Sequence, residues 1–383
     1  MKGLQGSKNS RWLWCFFVAL LVIGFPACQS EPVHPEVEQK PDVADEDIQI
    51  EEYTVEESPE TALRVPASEE EAAAEKAPEE EPEEEPGGVS SFGEIWGYLI
   101  SGKEDAFTKE APLTDIGYFG AEVDSYGQLV NVPNPKAIPR FSGRIHLVVG
   151  CTGRALSHFV LMEGSPVRKQ LIADLLEKAK PFDGLQIDFE DVPPRDRDTF
   201  HSFLAELRKG LGNKRFTIAL RARLRTLDND VYDYERIKPL VDRILVMAYD
   251  EHWATSEPGP IASMDWCKAV ASYSLKTIGP EKLIMGLPFY GRTWGSSNLF
   301  RAFHFSGIER IKQEHQVTEV RREQGIPTFT YEVPVRVTAY YEDEQSLSLR
   351  MKMYRTLGVQ SIGFWALGQE SPRIWKLLSL KKD

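Results

Sequence analysis

The chain has 383 residues and a formal net charge of −14 at pH 7, enough length for one large domain or two of medium size. The acidity is local, because residues 29–91 hold 22 Asp plus Glu against Lys40, Arg64 and Lys76, which leaves the rest of the chain close to neutral. That near-neutral remainder has no basic excess calling for nucleic acid and no acidic excess calling for a cationic partner.

Export is the first signal along the chain. Lys2, Lys8 and Arg11 precede an apolar run from Trp12 to Phe25, the charged and apolar regions of a secretory signal. At about 14 residues the run falls short of the roughly 20 that span a bilayer. It ends in Phe25-Pro26-Ala27-Cys28, which resembles the lipid-attachment box of bacterial lipoproteins, with Phe25 where leucine is usual. Residues 1–27 are therefore expected to be a lipoprotein signal peptide and Cys28 the lipidated residue. An ordinary cleaved signal and an uncleaved anchor stand as alternatives, and all three export the protein. The lipidated form would sit in the cell envelope, held to a membrane on its periplasmic or outer face.

Residues 28–91 are expected to be a disordered linker. From Glu69 to Pro86 the chain is Glu, Ala and Pro with almost nothing else, so it has too little to bury to offset its own ordering entropy. As a flexible coil it would span about 45 Å root-mean-square. It serves either as a standoff above the membrane or as a plain solvated spacer.

Residues 92–383 change texture to short apolar runs alternating with amphipathic stretches. The runs predict strands at Glu94–Ile100, Asp115–Ala121, Arg144–Val149, Gly184–Glu190, Phe216–Ala222, Arg243–Tyr249, Leu283–Phe289 and Ser361–Ala366. Helical spacing of apolar residues predicts helices over Pro166–Lys180, Asp198–Lys209, Asp265–Ile278 and Gln345–Leu357. Eight strands alternating with helices point to a parallel (β/α)8 TIM barrel, with a doubly wound open sheet as the other possibility. No GxGxxG follows a strand to support dinucleotide binding. Beyond the export segment only Cys151 and Cys267 remain; two lone cysteines without CxxC spacing predict buried thiols, and neither a metal nor a cofactor is implied.

The densest chemistry lies at Asp183-Gly184-Leu185-Gln186-Ile187-Asp188-Phe189-Glu190. In a strand alternate side chains share a face, so Gln186, Asp188 and Glu190 would point one way and Leu185, Ile187 and Phe189 the other. In a barrel the polar set would fill the lumen near its C-terminal mouth. Two carboxylates that close repel one another, and desolvation raises their affinity for protons further. A half-exposed edge strand with a polar outer face is the bland alternative.

This segment resembles the DxxDxDxE signature of glycoside hydrolase family 18, with Gln186 in one of its four acidic places. Met247-Ala248-Tyr249-Asp250, Gly286-Leu287-Pro288-Phe289-Tyr290-Gly291-Arg292 and Gly363-Phe364-Trp365-Ala366-Leu367-Gly368 resemble three further strand ends of that family, in family order. Glu94-Ile95-Trp96-Gly97-Tyr98 and Tyr249-Asp250-Glu251-His252-Trp253 are similar to the branch directed at spore cortex and peptidoglycan. The resemblance covers about residues 92–370.

The resemblance implies a glycosidase that uses the substrate's own N-acetyl group as nucleophile. In it Glu190 would be the catalytic acid and then base, Asp188 would orient the acetamido group, and Tyr249 would bond that group from the other side. Trp365 would be the floor under the sugar, Gln186, Tyr98, Met247, Asp250 and Tyr290 would line the same pocket, and Trp253 would serve a neighbouring sugar. For any of the aromatics taken singly, core packing is the commoner role. A glutamine at 186 cannot ionise but can donate to a charged Asp188. The implied partner is a β-linked glycan containing N-acetylglucosamine, either peptidoglycan-like or chitin-like, cleaved by a monomer that binds no nucleic acid. A non-hydrolytic or weakly active glycan-binding lipoprotein on the same fold is the alternative. Between the last two strands only Thr293–Gln360 remains, which is expected to hold a helix and at most a small insertion, leaving an open, shallow cleft.

Overall fold

The computed structural model describes residues 88–138, 141–295, 300–333 and 336–381. The export segment, Cys28 and the acidic linker as far as residue 87 lie outside the described residues. Among the described residues no helix is long and apolar enough to cross a membrane.

Eight parallel strands form the centre: β1 (Glu94–Ile100), β2 (Asp115–Val123), β3 (Arg144–Cys151), β4 (Gly184–Phe189), β5 (Arg215–Arg221), β6 (Arg243–Met247), β7 (Leu283–Pro288) and β8 (Ser361–Trp365). Each pairs with the next in chain order, and β8 pairs with β1 through Ile362 opposite Ile95, which closes the barrel. These are the eight expected strands, the first with the expected ends and the others with an end displaced by one or two residues. A short strand, Ser90–Phe92, precedes them and pairs in parallel with Leu378–Leu380, so ordered pairing starts two residues before the expected linker boundary.

Among the described residues seven α-helices accompany the strands: α1 (Arg154–Leu161), α2 (Pro166–Lys178), α3 (Arg197–Leu211), α4 (Tyr234–Ile237), α5 (Met264–Thr277), α6 (Phe305–Glu314) and α7 (Glu344–Leu357). The expected four are α2, α3, α5 and α7. Three of their starts follow from capping side chains, since Ser165 accepts from the Arg168 amide, Ser263 from that of Trp266, and Asp343 with Ser346 forms a capping box, while α3 starts without one.

Strand alternation sorts the core into two layers. Ile95 and Leu99 of β1 and Leu185, Ile187 and Phe189 of β4 join the layer beneath the helices. The Phe189 ring stacks on Phe200 and Phe203 of α3 at 6.3 and 5.8 Å, and each such ring contributes roughly 1.5–3 kcal/mol when withdrawn from water. Trp96, Tyr98, Val148, Ala219, Leu245 and Ile284 fill the lumen instead. Cys151 and Cys267 are buried free thiols.

A charged network closes the N-terminal end of the lumen. Glu94 accepts from Arg215 at 3.0 Å and from Arg243 at 2.9 Å, while Asp115 accepts from Arg144 at 2.7 Å and meets His146 Nε2 at 2.7 Å. Burial alone would raise the Asp115 carboxyl, but the bonds from His146 and Arg144 outweigh it and hold it at about 2. The opposite, C-terminal end is left for chemistry.

Between β7 and β8 the chain builds more than the expected small insertion. Strands Phe300–His304, Tyr290–Gly295, Arg336–Tyr340, Ile326–Glu332 and Arg321–Glu323 pair antiparallel in that spatial order. Helix α6 closes over this sheet, with Ile308 and Ile311 packed with Phe329, Ala339 and Tyr341. A five-stranded α+β unit fits because several of its strands are only three to five residues long. The expectation of an unwalled cleft is corrected accordingly, since Tyr290 and Trp294 of this sheet cluster with Tyr249 and Trp365 at the barrel mouth.

Candidate active site

The floor of the mouth is polar and fully buried. Tyr98, on the lumen face of β1, donates its hydroxyl to Gln186 Oε1 at 2.7 Å, and Gln186 Nε2 donates to Thr217 Oγ1 on β5 at 3.0 Å. These two bonds fix the amide's orientation, oxygen toward β1 and nitrogen toward β5. The Tyr98 ring lies against Gly117 of β2, where a Cβ would come within 2.6 Å of it. Burial raises the Tyr98 phenol well above its ordinary value, so it stays a donor.

Asp188 stands one step nearer the mouth on the same face of β4. Its Oδ1 is buried and meets no hydrogen-bond partner. Burial pushes this carboxyl well above the usual aspartate range, the neighbouring Glu190 carboxylate adds to the rise, and Arg221 opposes it.

Glu190 follows where β4 ends. Its side chain is 46% exposed, and Arg221 Nε lies 3.6 Å from Oε2. Water reaches the carboxylate on one side while protein crowds the others. Burial therefore raises its proton affinity, Arg221 lowers it, and Asp191 and Asp250 raise it again. Asp191 is itself fixed, accepting the Gly153 amide at 2.9 Å and standing 3.5 Å from Arg221 Nη2.

The far wall comes from β6, β7 and β8. Tyr249 lies over Gly286, where a Cβ would meet its ring at 2.9 Å, and its ring is edge-on to that of Tyr290 at 6.4 Å. Burial first, then Tyr290 and Asp188, raise the Tyr249 phenol, which keeps it protonated. Asp250, in the left-handed region at φ 57°, accepts from the Tyr290 hydroxyl at 2.5 Å and from Arg292 Nη2 at 2.8 Å. Trp365 packs between Tyr98 at 5.9 Å and the edge of Phe119 at 5.1 Å, and Met247 joins the same lumen cluster.

Trp253 stands apart from this bowl on the loop after β6, with 52% of its surface open. Its backbone is held: Trp294 Nε1 donates to its carbonyl at 3.1 Å and its amide donates to Ser256 Oγ at 3.0 Å. The rest of that loop is tied down by Glu251, which accepts from Ser263, and by His252 against the Pro260 carbonyl at 2.8 Å.

The fold thus gathers Gln186, Asp188, Glu190, Tyr98, Met247, Tyr249, Asp250, Tyr290 and Trp365 around one mouth, with Trp253 at its rim; Cys28 lies outside the described residues. Asp183, the first acid of the motif, is at the opposite end of β4, where its carboxylate accepts the Ile145 amide at 2.8 Å. Sequence reasoning missed Arg221, Thr217, Asp191 and Phe119. Thr217, Ala219 and Arg221 alternate along β5, so the period of two carried the signal for the arginine.

Residues 135–370 match the family model described as glycosyl hydrolases family 18. An uncharacterized glycosylase YvbX of Bacillus subtilis is 29% identical over 232 residues, covering 57% of this chain and 67% of its own. The cortical fragment-lytic enzyme of Bacillus anthracis is 23% identical over 235 residues, covering 57% of this chain and 54% of its own. The chain thus spans about half to two thirds of the length of these curated relatives. Among solved structures, the spore cortex-lytic enzyme SleL of Bacillus cereus superposes with a TM-score of 0.67 at 21% identity, over 78% of this chain and 76% of its own; at that identity the likeness speaks for the fold.

Proposed function

The chain belongs to the glycosyl hydrolases of family 18, a family of glycosidases, and on that premise we propose that it cleaves β-linked, N-acetylglucosamine-containing glycan by a substrate-assisted, retaining mechanism. The observation that carries this is the placement of its acids. Asp188 and Glu190 stand side by side at the end of β4, and the acid facing them, Asp250, is occupied by Tyr290 and Arg292. An acid held by a phenol and a guanidinium is not free to act from the opposite side as an enzymic nucleophile or to activate water there.

In this mechanism protonated Glu190 gives its proton to the glycosidic oxygen as the C1–O bond breaks. The acetamido oxygen of the same sugar closes on C1, forming an oxazolinium ion. Asp188 accepts the acetamido N–H and balances the developing positive charge, which is strongest in a site poor in water. The Tyr249 phenol donates to the acetamido oxygen and aims it. Glu190, now a carboxylate, takes a proton from the water that opens the oxazolinium. Trp365, in the wall, provides an apolar face for the sugar ring and Trp253 a stacking face for the next sugar.

An export-type N-terminus and relatives named for cortex lysis support a cell-envelope glycan as substrate. In this picture residues 1–27 are a signal peptide, Cys28 carries lipid, and the acidic linker to residue 91 holds a monomeric barrel away from the membrane. One observation favours a second reading, a glycan binder with little turnover: Gln186, held by Tyr98 and Thr217, cannot accept a proton from Asp188. Glu190→Gln separates the two. It should leave glycan binding intact and lower turnover by about 10²–10⁴-fold, whereas hydrolysis at the parent rate would place the acid elsewhere. Absence of measurable hydrolysis in the parent, with binding retained, would select the second reading.

A further inference from the structure

We infer that Arg221 is a positioning residue for the catalytic acid, holding the Glu190 carboxylate at the mouth and setting the pH at which it can donate its proton. The inference rests on Glu190 being that acid.

Among the described residues, the ion-paired arginines Arg221, Arg223 and Arg292, near the end of β5 or facing the mouth, are held differently. Arg292 is 17% exposed and bonded to Asp250 at 2.8 Å; Arg223 is bonded to Asp230 at 2.8 and 3.0 Å. Both are fully engaged in pairs that leave Glu190 alone. Arg221 is 48% exposed and bridges two carboxylates loosely, Nε at 3.6 Å from Glu190 and Nη2 at 3.5 Å from Asp191.

Asp191 anchors the bridge because the Gly153 amide at the start of α1 fixes it. The Arg221 carbonyl is fixed as well, accepting from the Tyr234 hydroxyl at 2.6 Å. The guanidinium is therefore set from both ends, while its grip on Glu190 stays long enough for the carboxylate to turn toward a leaving-group oxygen. A close 2.8 Å pair, like that of Arg292, would hold the acid ionised and immobile.

The groups whose charges reach Glu190 are Asp188 on its own strand, Asp191 in the following loop, Arg221 at the end of β5, Asp250 after β6, and the phenols of Tyr232 and Tyr249. Arg221 is the cation of this set. Without it, burial and the surrounding acids would hold the proton on Glu190 to higher pH, and the weaker acid would give that proton less readily to the glycosidic oxygen.

The test is the pH profile of kcat/KM for the whole chain on an N-acetylglucosamine oligosaccharide. The high-pH limb reports the acid losing its proton. In Arg221→Met it should move up by about 0.5–1 pH unit, the lower part of the shift caused by a close opposite charge because this pair is open to solvent. Arg221→Lys keeps the charge and should return most of the limb. A limb that stays in place in Arg221→Met, with a folded protein, overturns the inference. A parent without turnover is a failure of the functional reading, and the charge effect is then read directly. Glutamate carboxyl carbons are labelled, Glu190 is assigned by its disappearance in Glu190→Gln, and its titration is followed by NMR. The same upward shift in Arg221→Met supports the inference, and an unmoved titration overturns it.

Discussion

Tyr98 and Gln186 are joined at the floor of the mouth by a 2.7 Å hydrogen bond from the tyrosine hydroxyl to the amide oxygen, with both groups sealed from water. A carboxylate in the glutamine's place would also accept from Tyr98, but it could not donate to Thr217. The amide therefore ties β1, β4 and β5 together without adding a charge beneath Asp188.

Gln186→Leu removes both bonds and leaves the Tyr98 and Thr217 hydroxyls buried. Each unsatisfied buried group costs about 1–3 kcal/mol, so denaturant unfolding should show a loss of at least about 2 kcal/mol for the two. Turnover should fall as well, since the Tyr98 ring that packs near Trp365 loses its anchor. Unchanged stability would mean that the two hydroxyls find other partners.

How much of this was legible in the sequence differs by element. The eight barrel strands could be read because each is a short, mostly buried and largely apolar run of five to nine residues; in β4 the alternation of Leu185, Ile187 and Phe189 with Gln186 and Asp188 added a second signal. The insertion sheet was hidden because Arg321–Glu323 has three charged residues in three and Phe300–His304 only five in all. Its identity as a sheet depends on pairing across the chain. Helix α1 is eight residues long and starts from Gly153 with no side-chain cap, so it offered neither length nor a start signal. At the site, residue types named the acids but not their partners. That Asp250 is spent on Tyr290 and Arg292 follows from distances between the segment after β6 and the strand Tyr290–Gly295, which no spacing reveals.

Asp188 makes stability depend on pH in a direction that can be derived. Its folded-state pKa lies above the ordinary value of 3.8, so the folded protein holds this proton more tightly than the unfolded chain does. That contribution is complete below the ordinary value and is lost as pH rises through the folded pKa. Asp188→Asn has no charge to bury. It should be more stable than the parent at pH 7.5, with the advantage narrowing toward pH 4, while its turnover collapses. Urea midpoints at the two pH values check this. An advantage of equal size at both would show that the burial of this carboxylate is not the cause.

Membrane attachment is expected to depend on Cys28 alone. In Cys28→Ser, export without lipid should move the protein to the soluble fraction, or leave an unprocessed precursor, with no change in barrel activity. The linker's 22 acidic residues repel an anionic membrane surface, so no electrostatic attachment should replace the lipid. Fractionation at high salt and the mass of the N-terminal fragment decide it. A correctly processed serine variant that remained on the membrane would point to another anchor.

The stereochemistry of cleavage follows from the positions of two carboxylates. Asp188 lies in β4 and Glu190 directly follows its last residue, so by strand geometry their Cα atoms are separated by about 6.6 Å and their side chains leave the same side. An inverting enzyme needs its second carboxylate across the sugar from the acid, with room for a water between. A retaining enzyme with its own nucleophile also needs it across the scissile bond. Neither arrangement fits two groups on one strand when Asp250 is committed to Tyr290 and Arg292. The nucleophile must then come from the substrate, and on an N-acetylglucosamine ring the acetamido oxygen is the group able to reach C1 from within. Its attack inverts C1 once, and water entering from the opposite face inverts it again. The first product should therefore be the β-anomer, and glycans lacking the 2-acetamido group should not be cleaved. An NMR time course on an N-acetylglucosamine oligosaccharide, run beside its plain glucose counterpart, reads both outcomes. An α-anomer appearing ahead of mutarotation would require a base that activates water directly, and efficient cleavage of the glucoside a nucleophile other than the acetamido group; either would falsify the substrate-assisted mechanism.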